Sequence, residues 1–276
     1  MSQDFNQKYG PWAIIAGGAL GLGEAWADAL SARGLNIVSL DRDLDALEKQ
    51  KATLEARHDI EVRPLHADLS DPDLMRIVRE QTDDLEIGMM VYSAAVEVDP
   101  SIMTPHLFHD GSIEGHHTII AVNVTGPNDF AHHFGGLMKE RGRGGLVLIS
   151  SGADGMGSPF VANYGATKSY MTLLGEGLWF ELRPHGVDAI AAPLGMTRTT
   201  ALKDFPEVPA MEADVAVELI LAQLGKRPQV APGRKNSLQQ TFVKRFIPKK
   251  RAIRWFADIH LNNFLKGRDD YDIYRK

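Results

Sequence analysis

Short apolar runs alternate with longer segments of helical periodicity along most of the chain. Within the runs, apolar residues do not alternate with polar ones, which is typical of strands that are covered on both faces. Strands are predicted at Trp12–Ala16, Asn36–Leu40, Ile60–Leu65, Ile87–Ser93, Gly145–Ser150, Val187–Ala192 and Gln229–Ala231. Helices are predicted at Leu22–Arg33, Asp43–His58, Asp71–Thr82, Ile113–Arg141, Tyr164–Arg183 and Glu212–Gly225.

This alternation predicts an α/β fold. Repeated strand–helix–strand units with buried strands form a parallel sheet with helices on both faces. The expected architecture is a doubly wound, Rossmann-type sheet of about seven strands, followed by a helical C-terminal extension. Since we find no linker or repeat in the sequence, residues 1–276 are expected to form one domain, with a core over about 11–232 and the extension over about 233–276.

Composition narrows the class of protein. Hydrophobic residues make up 44% of the chain and charged residues 24%, as in soluble globular proteins. The absence of cysteine excludes disulfides, thiolate nucleophiles and thiolate metal sites, and it fits a reducing compartment. The first residues lack the plan of a secretory signal, and the longest apolar stretch covers only about half of a membrane span. A cytoplasmic location is therefore expected.

Charge is distributed unevenly along the chain. Residues 226–276 carry a formal charge of +10, and the preceding residues carry −16. The acidic body argues against nucleic-acid binding. The segment Lys244–Gly267 interleaves basic residues with aromatic and aliphatic ones. Such a segment can close a substrate cleft, pack on a neighbouring subunit or lie on a membrane surface, and of these we favour packing over membrane contact.

A glycine-rich turn joins the first strand to the first helix. Gly17, Gly21 and Gly23 permit a tight turn and a close approach of the backbone to a pyrophosphate, which would face the amino end of the helix. Asp41 closes the second strand, where a carboxylate can accept hydrogen bonds from an adenosine ribose and repel a 2′-phosphate. This favours NAD, although the neighbouring Arg42 can pair with the extra phosphate of NADP. Asp41 can alternatively cap the following helix.

A tyrosine and a lysine at helical spacing are candidates for acid/base chemistry. Tyr164 and Lys168 lie four residues apart and therefore on one helical face. A nearby cation stabilises a phenolate, so Lys168 is expected to lower the pKa of Tyr164 from about 10. Ser151 ends a strand at the ligand-binding edge of the sheet, and Asn123 interrupts a helix where a kink can hold a water. Each also has a structural alternative: Ser151 as a turn residue and Asn123 as a satisfied polar group within a helix.

Together these motifs resemble the short-chain dehydrogenase/reductase family over about Pro11 to Thr200. The resemblance rests on Gly17-x-x-x-Gly21-x-Gly23, Asp68, Asn123, Ser151 and Tyr164-x-x-x-Lys168. It implies that Tyr164 donates or accepts the substrate proton and that Lys168 lowers its pKa and binds the nicotinamide ribose. It further implies that Ser151 orients the substrate oxygen, that Asn123 holds a relay water near Lys168, and that Asp68 contacts the adenine.

The chain departs from the family pattern at three places. Ala16 stands where the family usually has threonine, Tyr92-Ser93-Ala94-Ala95 where it commonly has Asn-Asn-Ala-Gly, and Pro193-Leu194-Gly195 where it has Pro-Gly. The loop after Gly195 is therefore expected to contact the nicotinamide. The full set of expected cofactor contacts is Gly17, Ala19, Gly21, Leu22, Gly23, Asp41, Arg42, Asp68, Leu69, Ala94, Tyr164, Lys168, Pro193, Gly195, Thr197 and Thr199.

The expected function is NAD(P)-dependent hydride transfer between the cofactor and an alcohol or ketone. Apolar side chains in the segments around the cleft favour an apolar secondary alcohol or ketone, and they are Met103, Met156, Phe160, Met196 and Phe205. No metal site is expected, because adjacent histidines such as His116 and His117 point in different directions on a helix. The alternatives are a non-catalytic NAD(P)-sensing protein and an epimerase or dehydratase. The resemblance also implies a homodimer or homotetramer formed through the helices that hold Asn123 and Tyr164.

Overall fold

Six parallel strands form the central sheet of this computed structural model, which describes residues 2–199 and 209–275. The strands are β1 (Trp12–Ala16), β2 (Asn36–Asp41), β3 (Val62–His66), β4 (Ile87–Tyr92), β5 (Gly144–Ser151) and β6 (Val187–Leu194). Their order across the sheet is β3-β2-β1-β4-β5-β6. The strand order reverses between β1 and β4, and ligands bind at such a reversal, beyond the carboxyl ends of the strands.

Helices cover both faces of the sheet and continue beyond it. They are α1 (Ser2–Tyr9), α2 (Leu22–Ser31), α3 (Leu44–Arg57), α4 (Leu74–Thr82), α5 (Ile113–Ile120), α6 (Gly126–Arg141), α7 (Ala162–Leu182), α8 (Ala213–Leu221), α9 (Arg234–Phe246) and α10 (Lys249–Asn263). Two short strands, β7 (Thr197–Arg198) and β8 (Met211–Glu212), pair in parallel on either side of the undescribed residues. Within the described residues, every helix is too short or too polar to span a bilayer.

The sheet has an apolar core on each face, as its uninterrupted apolar strands predict. Ile14 of β1 packs in a cluster with Phe130 and Phe134 of α6. Ile15, the next residue, packs on the opposite face with Trp26 and Leu30 of α2. Successive side chains of a strand point to opposite faces, so both must be apolar when both faces are covered.

The predicted fold class and helical extension are confirmed, but the predicted last strand is wrong. Gln229 forms only an isolated parallel bridge with Ala191. Pro228 and Pro232 flank this segment, and because proline has no backbone N–H, a regular ladder cannot continue there. The helix α1 was not predicted, since it is short and mostly polar. It is held to the fold by Tyr9, whose hydroxyl donates to Asp188 at 2.6 Å.

The long helix predicted over Ile113–Arg141 is divided by a π-helical turn at Ala121–Thr125, which confirms the predicted kink at Asn123. The N–H of Gly126 bonds to the carbonyl of Ala121, and Pro127 has no N–H to offer. The carbonyl of Val122 therefore lacks its helical donor. The buried hydroxyl of Tyr92 replaces it at 2.6 Å.

Gly126 makes room for this hydrogen bond. A Cβ atom at position 126 would lie 2.1 Å from the hydroxyl oxygen of Tyr92. The tyrosine that stands in place of the family's usual asparagine therefore has a structural role, which is to satisfy the carbonyl that the π-turn leaves open.

We predict that Tyr92→Phe lowers the free energy of unfolding by about 1–3 kcal/mol, because it leaves a buried carbonyl without a donor. Urea denaturation followed by circular dichroism measures this change. Tyr170→Phe is the matched control, since the hydroxyl of Tyr170 donates to Asn128 near the surface and its removal should cost less than about 0.5 kcal/mol. Equal stability of the two variants would contradict the role given to Tyr92.

Candidate active site

A glycine-rich turn lies at the carboxyl end of β1. The N–H groups of Gly17 and Gly18 donate to the carbonyl of Leu40 at 2.8 and 3.0 Å, which closes the turn against β2. A Cβ atom on Gly23 would lie 1.8 Å from the carbonyl oxygen of Gly17, so residue 23 must be glycine. Gly21 precedes α2 and has no side chain with which to cap it, so the first N–H groups of α2 face outward. The turn thus fits the pyrophosphate of a dinucleotide.

Asp41 lies beside this turn, at the end of β2. Its carboxylate accepts from the N–H of Ala19 at 3.2 Å and from the N–H of Arg42 at 2.8 Å. The cap of α3 is Asp43, which accepts from the N–H of Ala46 at 3.0 Å. The capping alternative for Asp41 is therefore wrong, and its position suits contact with a ribose.

A surface depression of about 430 Å³ adjoins Asp41 at the ends of β2 and β3, and its lining residues are Arg42, Asp43, Leu44, Asp45 and His66. Asp68 follows β3, and its carboxylate accepts from the N–H and the hydroxyl of Ser70 at 2.8 and 2.7 Å. These hydrogen bonds lower the pKa of Asp68. Leu69 packs against the core. Adenine contact by Asp68 and Leu69 stays a prediction.

The divergent segment after β4 is tied to β1. The N–H groups of Ser93 and Ala94 both donate to the carbonyl of Ala16 at 2.9 Å. Gly17 lies so close to this segment that a Cβ atom there would come within 2.7 Å of the Cβ of Ala94. Ala94 therefore borders the glycine-rich turn, as predicted for a cofactor contact, and Ala95 is exposed beside it.

The loop after β6 closes over the same turn. Thr199 lies within 3.1 Å of where a Cβ on Gly21 would stand. Thr197 donates to the carbonyl of Gly195 at 3.2 Å, and the carbonyl of Pro193 accepts from Gln240 of α9 at 3.2 Å. The predicted nicotinamide loop is thus placed over the site, with support from the C-terminal extension.

Tyr164 and Ser151 meet at the carboxyl end of β5. Tyr164 lies in the first turn of α7, and Ser151 is near enough to its phenol to lower the pKa of that group. The hydroxyl of Ser151 accepts from the N–H of Ala153 at 3.2 Å. Burial raises the pKa of Tyr164, with a further increase from the nearby carboxylate of Glu97, while Ser151 lowers it.

Lys168 lies beneath Tyr164 and is 1% exposed. Its Nζ donates to the carbonyl of Ile149 at 2.8 Å and lies 5.7 Å from the centroid of the Tyr164 ring. Burial lowers the pKa of Lys168 to about 7, against a smaller upward effect of Glu97. The prediction that Lys168 lowers the pKa of Tyr164 is therefore wrong, because burial raises that pKa and disfavours the charged form of both groups.

Asn123 connects the π-turn to the cleft. Its side-chain amide donates to the carbonyl of Val96 at 2.7 Å and to the hydroxyl of Thr167 at 3.1 Å, and it accepts from the N–H of Val96 at 2.9 Å. Three of the amide's four hydrogen-bonding positions are occupied in this way. Only one acceptor position of the side chain is left for the predicted relay water.

Sequence reasoning missed a buried polar network behind Ser151. The Oγ1 of Thr172 donates to Asp154 at 2.7 Å and lies 2.7 Å from the Oγ of Ser150. Ser150 in turn donates to the carbonyl of Lys168 at 2.7 Å. The sequence pattern singles out Ser151 alone. Its neighbour Ser150, which links the end of β5 to α7, follows no recognisable spacing.

Glu97 was also missed. Glu97 is exposed, yet the protein packed around its carboxylate raises the pKa of that group. Lys168 has the opposite effect and lowers this pKa. Asn123 holds the preceding residue, Val96, by both backbone groups, which fixes the position of Glu97. The signal in the sequence was a carboxylate between two valines, Val96 and Val98, directly after the divergent segment that follows β4.

An apolar wall surrounds Tyr164. Its side chain belongs to one cluster with Ala153, Val161, Phe256, Val98 and Met156. Phe256 comes from α10, and in the adjacent cluster Leu261, Leu265 and Tyr271 of the C-terminal extension pack on Phe160. Of the predicted cleft residues, Met156 therefore lies in the wall and Phe160 in the adjacent cluster. Met103 and Met196 are exposed, and Phe205 falls outside the described residues.

Comparison with known proteins is consistent with this geometry. Residues 11–209 match the family model described as short chain dehydrogenase. The chain is 31% identical to a 7β-hydroxysteroid dehydrogenase of Clostridium sardiniense, over 81% of this chain and 86% of the relative. A solved 7β-hydroxysteroid dehydrogenase, studied for its stereoselectivity, superimposes with a TM-score of 0.85 at 27% identity, over 92% of this chain and 99% of that one. A bulky-bulky ketone specific alcohol dehydrogenase of Comamonas testosteroni gives a TM-score of 0.69 at 25% identity, over 84% and 92% of the two chains.

We predict a pH-dependent stability that comes from Lys168. Its pKa is about 7 in the folded protein, against an ordinary value of 10.5. Between these values the unfolded chain binds more protons, so the free energy of unfolding should rise with pH, by up to about 1.4 kcal/mol per pH unit. Lys168→Met removes the titrating group, so the unfolding free energy of this variant should not show that increase with pH.

Urea denaturation of the cofactor-free protein at pH 7, 8 and 9 measures the effect. The difference in unfolding free energy between the wild type and Lys168→Met should grow in favour of the wild type across this range. A difference that stays constant with pH would show that Lys168 titrates normally.

Proposed function

Since the chain belongs to the short-chain dehydrogenase/reductase family, we propose that its substrates are bulky, apolar secondary alcohols and the corresponding ketones. The protein is an NAD(P)-dependent oxidoreductase of alcohols and ketones. The proposal concerns the size and polarity of the substrate, and we expect a molecule about as large as a steroid. Its main support is the apolar wall around Tyr164.

Three elements contribute to that wall. Val98 comes from the segment after β4, Met156 from the loop after β5, and Phe256 from α10. An apolar site with few polar groups favours a substrate whose bulk is hydrocarbon, oriented by one reacting oxygen. The relatives with similar sequence and structure are named for hydroxysteroids and for ketones with two bulky substituents. Small sugars would leave the wall without contact.

We assign the proton transfer to Tyr164 and the orientation of the substrate oxygen to Ser151. A nicotinamide, when bound, supplies or accepts the hydride. In ketone reduction the Oη of Tyr164 donates its proton to the substrate oxygen, and in alcohol oxidation it accepts that proton. Ser151 is near enough to Tyr164 to lower the pKa of its phenol, so both hydroxyls can contact the same substrate oxygen.

Lys168 supports this transfer as a buried cation beneath the phenol ring. In its charged form it stabilises the phenolate that remains when the proton leaves Tyr164. Glu97 favours that charged form, because it raises the pKa of Lys168. Asn123 positions the pair indirectly, since its amide bonds to Thr167, which in turn donates to the carbonyl of Tyr164 at 2.8 Å.

For the cofactor, we propose a preference for NAD over NADP. The carboxylate of Asp41 is fixed by the N–H groups of Ala19 and Arg42 at the place where a 2′-phosphate would lie. Asp43 and Asp45 add two further carboxylates to the adjoining depression, against the cationic Arg42. A 2′-phosphate would therefore meet more negative than positive charge.

We also propose that copies of the chain associate through α7. Leu173 and Phe180 project from this helix as large, exposed apolar side chains. Such residues favour burial against a second protein surface. Self-association through α7 would leave the carboxyl edge of the sheet, and so the cleft, accessible.

The first prediction concerns catalysis. Tyr164→Phe should lower kcat for a steroid-sized ketone by about 10²–10⁴-fold, since it removes the proton donor. NADH binding, followed by fluorescence titration, should persist. Tyr170→Phe, which alters another tyrosine of α7, should leave turnover unchanged.

Two outcomes would count against distinct parts of the proposal. Full turnover by Tyr164→Phe would remove Tyr164 from the chemistry. Faster turnover of small sugars or acidic substrates than of bulky ketones would refute the substrate class, and the role of Tyr164 would stand.

The second prediction concerns the cofactor. The wild type should bind NADH more tightly than NADPH, and Asp41→Ser should shift the ratio of the two dissociation constants towards NADPH by roughly tenfold or more. Asp59→Ser is the control and should leave the ratio unchanged, because Asp59 is an exposed carboxylate before β3 that does not line the depression. Tighter NADPH binding by the wild type would reverse the assignment of Asp41 and give the deciding role to Arg42.

A further inference from the structure

The outer face of α9 carries a stripe of large apolar side chains. Leu238 is 72% exposed, Phe242 58% and Phe246 68%. They recur every fourth residue, so they lie within about 80° of arc on one side of the helix. The opposite side is anchored, because Val243 is buried and Gln240 donates to the carbonyl of Pro193. The stripe therefore faces away from the fold.

Basic residues accompany the stripe. Residues 241–257 contain six Lys and Arg residues and no Asp or Glu. Arg245 stands beside Phe242 and Phe246 on the exposed side of α9, and Lys249, Lys250 and Arg251 are exposed at the start of α10. We call Leu238, Phe242 and Phe246 with these four basic residues the basic–apolar surface.

The composition of this surface indicates its partner. A solvated helix face normally carries polar residues, and large aromatic side chains remain on it only when something apolar covers them. The surrounding positive charge requires that this partner be negative over a wide area. An amphipathic helix with aromatic residues on one side and Lys or Arg around them is the pattern that lies in the interface of an anionic bilayer.

The exposed apolar side chains of α7 differ from the basic–apolar surface in the charge around them. Leu173 and Phe180 project from α7 without a comparable basic segment, since Arg183 is the first Lys or Arg after Lys168. An apolar face of that kind suits a second copy of the chain. The acidic body, which carries a charge of −16, would be repelled by an anionic membrane, so α9 and the start of α10 are the part of the molecule suited to approach it.

We propose that the protein binds anionic membrane surfaces through the basic–apolar surface, with α9 lying in the plane of the interface. The aromatic side chains enter the boundary between head groups and acyl chains, and the basic residues contact the phosphates. On their inner side, Phe256 of α10 packs with Tyr164, and Gln240 of α9 donates to the carbonyl of Pro193. Membrane contact would thus bring the cleft next to a phase in which apolar ketones concentrate, a consequence that rests on the proposed substrate class.

Flotation of the full chain with vesicles tests the proposal. The vesicles are phosphatidylcholine alone or phosphatidylcholine mixed with phosphatidylglycerol, each at low and at high salt. We expect the wild type to float with the anionic vesicles and to bind phosphatidylcholine at least tenfold more weakly. High salt should weaken the anionic binding, because it screens the basic residues.

Three variants separate the contributions. Phe242→Ser with Phe246→Ser should reduce binding to anionic vesicles at least tenfold, and Lys249→Gln with Lys250→Gln should reduce it mainly at low salt. Ile273→Ser is the matched control, because Ile273 is 68% exposed in the same C-terminal extension but outside the basic–apolar surface. It should bind as the wild type does. Thermal unfolding shows that each variant is folded.

The proposal fails if the wild type does not float with anionic vesicles, or if the double serine variant floats as well as the control. Light scattering adds a further outcome. If the double serine variant loses an oligomer that the wild type forms, and neither protein binds vesicles, the surface is a contact between copies of the chain and the membrane proposal is wrong. These results are independent of turnover, so failure of the proposed substrate class would leave the vesicle result unchanged.

Discussion

The site depends on one missing backbone donor. Because Pro127 has no N–H, the helix before it cannot continue regularly, and a π-turn forms in its place. The turn directs Asn123 into the interior, where its amide holds both backbone groups of Val96 and reaches Thr167 beneath Tyr164. The turn therefore fixes two parts of the cleft at once, the segment after β4 and the first turn of α7. Tyr92 keeps it stable by satisfying the carbonyl of Val122.

The acid/base pair shows how burial and charge oppose each other in the cleft. Burial raises the pKa of Tyr164 and lowers that of Lys168, so burial favours the neutral form of both groups. Glu97 raises both values, which favours the protonated state of each. Lys168 therefore holds its proton more tightly than burial alone would allow. Tyr164 holds its proton more tightly than an exposed phenol would. Changes of charge or hydration in the cleft act directly on proton transfer.

The sequence predicted those features that depend on local pattern. The apolar runs located the six strands of the sheet within one or two residues of their ends, and the fourfold spacing placed Tyr164 and Lys168 on one face. Features that depend on tertiary contact were not predictable. The effect of burial on Tyr164, the partners of Asn123 and the approach of Phe256 from a distant helix all require knowledge of which segments meet. The missing seventh strand is a different case, because its signal was local: Pro228 and Pro232 stand on either side of the segment in the sequence.

The origin of Phe256 has a consequence for how such proteins diversify. The family model matches residues 11–209, which contain Tyr164, Lys168 and the glycine-rich turn, whereas Phe256 and the side chains that pack on Phe160 lie beyond it. Part of the apolar wall proposed to contact the substrate is thus encoded separately from the residues proposed to react. Exchange of the last helices between related chains could alter selectivity and leave the chemistry intact, so relatives with the same reacting groups need not share a substrate.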